Sequence, residues 1–274
     1  MAVKNQNKEL HQSFWVSLVA FSTLVYSLVV RDLRTEHKNA ALGILISVAQ
    51  PLVAGLIFYA FMALLGGGMG KVRGDDLTFV LLGFVVFFMH VRTVAQVTNA
   101  LREDMLNHQR LSPFLLVTVK GISAGYKIVL ALLILIALNY LLRGVYEMHN
   151  LLRFILVIFW CWLGGIAVGI LFMAAVRYLS WGGILQTVYI RVMFFTSGKF
   201  FVANMIGSDW RIFMDWNPLF HLLDQSRDAS FLNYTARTTN MEYPIIVYLA
   251  ILVIAMLVEH FVRTNYSQSH MPGG

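Results

Sequence analysis

Charge is scarce in this chain. Only 13% of its 274 residues are Asp, Glu, Lys or Arg, 58% are hydrophobic, and the mean hydropathy is +0.69. A soluble domain carries about a quarter charged residues, so this deficit excludes an ordinary water-soluble fold and points to an integral membrane protein. Cysteine is nearly missing as well. The lone Cys161 sits in an apolar run, which excludes a disulfide framework and a thiol–metal site and leaves it as a small core residue. Also missing is a small-residue cleavage site after the apolar run Phe14 to Val30, which ends in Arg-Asp-Leu-Arg. Insertion is therefore expected to rely on the mature spans.

What is present is a series of apolar runs. A hydrocarbon core of about 30 Å needs about 20 apolar residues as helix. By that criterion one all-α membrane domain is expected, with six spans near 44–65, 77–98, 114–142, 151–176, 182–206 and 243–262. A further run, 13–30, places Ser13, Ser17, Ala20, Ser27, Arg31, Arg34 and Lys38 on one side of a helical wheel, although Ser22 falls elsewhere. It reads as an amphipathic helix lying at the interface over 13–38, with a seventh span as the alternative.

Charge placement agrees with six spans and cytoplasmic termini. Twelve basic residues then lie on the inner side and eight on the outer, as the positive-inside rule requires. The inner excess accounts for nearly all of the net charge of +7, so no nucleic-acid partner is needed to explain it. Between the second and third spans lies a short cytoplasmic segment, Asn99 to Pro113 (NALREDMLNHQRLSP), which Pro113 ends by disfavouring helix at the residue before it. Its Arg102, Glu103, Asp104 and Arg110 suit a docking element for a soluble partner, or equally a solvated hairpin turn. Arg31, Asp32 and Arg34 form a second candidate contact.

The segment from Lys199 to Glu242 is too polar to cross a membrane and too apolar for a solvent loop. Within fourteen positions it carries Trp210, Ile212, Phe213, Met214, Trp216, Leu219, Phe220, Leu222 and Leu223, which need lipid or protein beside them. Two short helices fit it. Ser208 or Asp209 can cap a first piece, Trp210 to Trp216. Asn217 is a good N-cap and Pro218 suits the first helical position of a second, whose Leu219, Leu222, Leu223 and Ser226 share one side while Asp224, Arg227 and Asp228 share another. Non-helical backbone enters a membrane only where protein or water satisfies its polar groups. A re-entrant hairpin over 207–235 that closes a pathway and an interfacial cap without a gating role both meet that condition.

Two absences bear on driving force. The nearest approach to a P-loop, LGGGMGKV (Leu65 to Val72), has Leu where the first Gly belongs and Val where Ser or Thr would bind magnesium. No Asp or Glu falls well inside the six expected spans, which argues against proton or sodium coupling. One cation does fall inside: Lys127 lies about 21 Å of helix past Pro113 and is expected to face the bundle or a polar path. Tyr189, Phe194, Phe195, Phe200 and Phe201 are candidates to line a glycan path, since sugar faces stack on rings, with core packing or lipid contact as the plainer role. His221, Asp224 and Asp228 stand at helical spacing, so a catalytic or metal set is geometrically conceivable. Capping, solvation and pairing with Arg227 explain them more simply.

Taken in order, RDLRTEHKNAALG, a span opening on Gln50-Pro51-Leu52, FFTSGKFF (Phe194 to Phe201) and WNPLFHLLDQSRDA (Trp216 to Ala229) resemble the permease subunits of type-2 ATP-binding-cassette exporters. Within that superfamily the chain is most similar to capsular-polysaccharide export permeases of the KpsM type, over roughly residues 28–262. The longer N-terminal apolar helix and the tail SQSHMPGG depart from the pattern.

The resemblance implies a homodimeric channel in the bacterial inner membrane, paired with two copies of a separate nucleotide-binding subunit that holds ATP and Mg. This chain itself would bind no cofactor. The cargo would be a lipid-linked glycan, handed on in some cases to a periplasmic export protein. The segment around Glu103 and Asp104 would be the coupling helix, with Arg31, Asp32, Arg34, Arg102 and Arg110 in or beside the ATPase contact. Trp210, Trp216, Asn217, Pro218, His221 and Arg227 would belong to the outward gate. A smaller amphiphile or drug as cargo, or a membrane-bound glycan-processing enzyme, are the alternatives.

Overall fold

The computed structural model describes residues 2–35, 40–65, 76–101, 112–143 and 148–269. Its main elements are helices α1 (Ala2–Thr35), α2 (Ala40–Leu64), α3 (Asp76–Thr98), α4 (Pro113–Arg143), α5 (Leu151–Tyr178), α6 (Gly182–Thr196), α7 (Ser208–Asp215), α8 (Pro218–Ser230) and α9 (Glu242–Ser269). Among the described residues, six stretches are long and apolar enough to cross a membrane: Trp15–Arg34, Ala41–Leu64, Asp76–Thr98, Pro113–Leu141, Leu151–Tyr178 and Glu242–Phe261. The chain is an all-α, multi-pass membrane protein.

α3 is the central post. It packs on α2, α4 and α5, and α5 in turn packs on α9. Glycines on α5 set these approaches: a Cβ on Gly164 would lie 2.5 Å from the Tyr248 ring, one on Gly165 2.8 Å from Thr93, and one on Gly169 2.7 Å from Val97. In lipid, where burying apolar surface drives no association, such close backbone contact is what holds helices together. Polar pairs mark the two ends of the bundle. Arg92 of α3 donates to the Ser47 carbonyl (2.7 Å) and to Gln50 of α2 at one end. Thr78 of α3 donates to Asn139 of α4 (2.5 Å) at the other. The first end therefore gathers the end of α1, the start of α2, the end of α3 and the start of α4. The second gathers the start of α5, the end of α6 and all of α8.

One expectation is corrected. The helix expected over 182–206 runs only to Thr196, and its fifteen residues rise roughly 22 Å, so non-helical backbone beyond Gly198 has to complete a crossing of the hydrocarbon core. Gly198 is the reason. Its φ of +72° ends the helix as a left-handed cap residue, and any side chain there would meet the Phe220 ring at 2.6 Å. Beyond it the backbone is non-helical apart from one 3₁₀ turn, Ala203–Met205. The run 13–30 belongs to a single helix that reaches from Ala2 to Thr35, whose length and composition suit a span as well as the expected interfacial helix. Its packing is oblique. Phe21 stacks on Phe114 and Asp32 pairs with Lys120 at 2.7 Å, so α1 advances in the same direction as α4 and touches only that helix's first turns. An antiparallel neighbour would show the opposite order.

Candidate functional site

The segment between α6 and α9 forms two helices. α7 is Ser208–Asp215, capped by Gly207 rather than by Ser208 or Asp209, and it has no buried residue. α8 starts where Asn217 and Pro218 were expected to start it: the Asn217 side chain accepts from the Leu219 N–H at 2.9 Å, with proline in the first turn. The expected division of α8 into an apolar and a charged face is not what the structure shows. All thirteen residues from Pro218 to Ser230 are buried, wedged against α3, α5 and α9.

That burial holds because each charge on α8 meets a built partner. Arg227 donates to the carbonyls of Gly198 (2.9 Å), Phe201 (2.7 Å) and Lys199 (2.9 Å), and its guanidinium lies 3.8 Å from the Phe79 ring centre. These carbonyls lie in the non-helical backbone just past the end of α6, and that of Gly198 also accepts the Phe201 N–H at 3.4 Å. Burial lowers the Arg227 pKa to about 10, while the Asp224 charge works against that shift, so the group stays cationic at neutral pH. Asp224 accepts from the Tyr234 hydroxyl and from Thr239 Oγ1 at 2.7 Å. Burial, followed by the Asp224 charge, pushes the Tyr234 hydroxyl above its ordinary range, which keeps it a donor. Asp228 pairs with Arg153 of α5 and accepts from the Ala236 N–H at 2.8 Å.

The corner between α7 and α8 is clamped from α9. Tyr243 donates to the Trp216 carbonyl at 2.7 Å. His221 accepts the Asn240 N–H on Nδ1 (3.3 Å), so Nε2 carries the proton and donates it to the Asp215 carbonyl at 2.9 Å. His221, Asp224 and Asp228 thus turn to three different sets of partners. Asn217 donates to Thr196 Oγ1 (2.8 Å), tying the corner to the end of α6. Trp210 is 70% exposed and Trp216 is 49% exposed. Of the six expected gate residues, four are buried in the interlock and the two tryptophans present their rings outward.

Beside this interlock runs an open groove of about 420 Å³, lined by Ala54, Ile57, Phe58, Phe61, Phe84 and Phe194 from α2, α3 and α6. Phe200 packs behind it on Phe58, Phe84 and Phe194. Phe195 is exposed and Phe201 half-buried. Two other path candidates lie elsewhere: Lys127 is buried inside the bundle, and Tyr189 pairs through its hydroxyl with His90 Nε2 at 2.7 Å. Of the docking residues, Asp32 pairs with Lys120 while Arg31 and Arg34 are exposed. Arg102, Glu103, Asp104 and Arg110 lie outside the described residues.

Sequence reading missed two buried polar centres. Lys199, counted among the eight outer basic residues, is fully buried; its Nζ donates to the Phe194 carbonyl at 2.7 Å and sits among the rings of Phe84, Phe87, Phe194 and Phe200. The four phenylalanines flanking Ser-Gly-Lys were its signal. His90 is fully buried, donates through Nδ1 to the Cys161 carbonyl and stacks on Tyr248 at 5.5 Å. Its position inside an expected span was the clue.

The fold is a bundle of apolar helices around one buried polar helix, α8, with an aromatic groove beside it. Residues 23–231 match the ABC-2 type transporter family, and the chain belongs to it. Among its relatives are two Escherichia coli proteins, each named polysialic acid transport protein KpsM, 21% and 20% identical over 223 residues, which cover 80% of this chain and 85% of theirs.

Proposed function

We propose that this chain is the conduit of an ATP-driven exporter that moves a lipid-linked capsular or related polysaccharide across the bacterial inner membrane. Two copies form the channel, and two copies of a separate subunit hydrolyse ATP. Both termini are cytoplasmic, α1 lies along the inner interface, and α7 and α8 gate the outer exit. The reading rests above all on one observation: a fully buried, charge-bearing helix, α8, stands beside an aromatic groove at the end of the bundle opposite Asn99 to Pro113. Membership of the family supports the pairing with an ATPase, and the relatives' names support the class of cargo. The oblique start of α1 against α4 supports an interfacial helix over a span. The wholly apolar lining of the groove also favours a second cargo class, a smaller amphiphile or drug.

Co-expression with a candidate nucleotide-binding subunit decides between these. A complex that retains glycolipid, and cells whose surface polysaccharide disappears when either subunit is deleted, are the expected results. Export that continues without any ATP-binding-cassette partner would overturn the proposal, and loss of amphiphile efflux alone would select the second cargo.

A further inference from the structure

Lys199 is more deeply buried than helix capping requires. A protonated lysine has three N–H donors, and among the described residues the Lys199 Nζ has one hydrogen-bond partner, the Phe194 carbonyl at 2.7 Å. Its remaining surface faces rings, with Nζ 3.2 Å from the centre of Phe194, 3.7 Å from Phe87, 4.4 Å from Phe200 and 5.7 Å from Phe84. Ring faces attract a cation, but they satisfy no N–H as an oxygen does. A leucine would fill such a box without desolvating a charge. Two walls of the box, Phe84 and Phe194, also line the groove, and Phe194 is 36% exposed there. Burial lowers the Lys199 pKa to about 6, so the enclosed amine is largely neutral at neutral pH, and the rings of Phe194 and Phe84 stand between it and the path.

We propose that Lys199 is a shuttered anion site of the translocation groove: when the Phe194 ring turns aside, the amine meets water, takes up a proton and pairs with an oxyanion of the passing cargo, a phosphodiester or a carboxylate. The site deepens the permease reading and rests on it. The Arg227 hydrogen bond to the Lys199 carbonyl keeps the backbone in place while the side chain changes partner. Gly83 supplies the room, since a Cβ there would stand 3.1 Å from both that carbonyl and Arg227 Nη2. No other cation is needed at the groove for it to distinguish a charged cargo from a neutral one.

The test uses the complete permease–ATPase complex in nanodiscs, with ATP hydrolysis followed as two probes are titrated separately. Lysophosphatidylglycerol carries only a phosphodiester; oligogalacturonate carries only carboxylates. At least one probe should stimulate the wild type, and Lys199→Met should raise its half-saturating concentration roughly tenfold, with Lys199→Arg recovering most of the loss. A response to the first probe alone assigns the site to the lipid anchor, and to the second alone, to the glycan. Phe194→Ala, which removes the shutter, should lower the half-saturating concentration, and it provides the readout if Lys199→Met fails to assemble. The site is rejected if neither probe stimulates the wild type, if Lys199→Met responds to both as the wild type does, or if it does not assemble and Phe194→Ala leaves the response unchanged. A complex that still hydrolyses ATP while failing these criteria leaves the permease reading standing, whereas a chain that recruits no ATPase rejects that reading itself.

Discussion

Arg227 shows how much one side chain can hold. Its planar fork reaches three carbonyls on one stretch of backbone, which a single ammonium cannot reproduce. Arg227→Met is expected to destabilise the protein by roughly 3–5 kcal/mol, because Asp224 and the carbonyls stay buried without their cation. Arg227→Lys should recover less than half of that. Thermal unfolding followed by tryptophan fluorescence measures both, and a lysine variant as stable as the wild type would refute the role of the fork. This residue was legible in the sequence as part of a charged face, but not as a bolt. Its partners are main-chain carbonyls some 28 residues upstream, and carbonyls carry no sequence signal. Asn217 and Pro218 were legible because capping acts within a few residues.

At the scale of elements, the decisive feature is where α6 stops. An alanine at Gly198 would have to adopt a left-handed backbone and displace the Phe220 ring, which together should destabilise the protein by about 2–4 kcal/mol. Gly207→Ala is the matched control. Gly207 has a φ of −60° and nothing within 4 Å of a Cβ, so its stability should change by less than about 0.5 kcal/mol. Equal effects at the two glycines, measured by thermal unfolding, would dissolve this account of helix termination. Reading 182–206 as one continuous helix failed because the apolar residues after Gly198 continue without a break. Hydropathy does not distinguish a phenylalanine in a helix from one in a turn. α1 posed the converse difficulty: its composition suits both a span and an interfacial helix, and only its packing order against α4 separates the two geometries.

For the whole molecule, the two ends carry different work in the proposed exporter: docking at one, release at the other. Reversing charge with Glu103→Lys and Asp104→Lys together should reduce export and ATP hydrolysis several-fold by weakening contact with the ATPase, since like charges at an interface repel. The permease should still fold and insert, as these residues fall between α3 and α4 in the sequence, outside the apolar spans. Export at the wild-type level in the double variant, measured as surface polysaccharide per cell, would remove this segment from the coupling role.

Composition alone determined that the chain lives in a membrane and is built of helices, because a backbone in hydrocarbon must satisfy its own hydrogen bonds and apolar run length counts the crossings. The motif order around Trp216-Asn217-Pro218-Leu219 pointed to the family. Only the tertiary structure decided that α8 is buried on every side, that Arg227 bolts it to the end of α6, and that Lys199 lies behind a phenylalanine wall. Those outcomes depend on which distant backbone groups lack partners once the helices have packed, and that accounting exists only after the chain has folded.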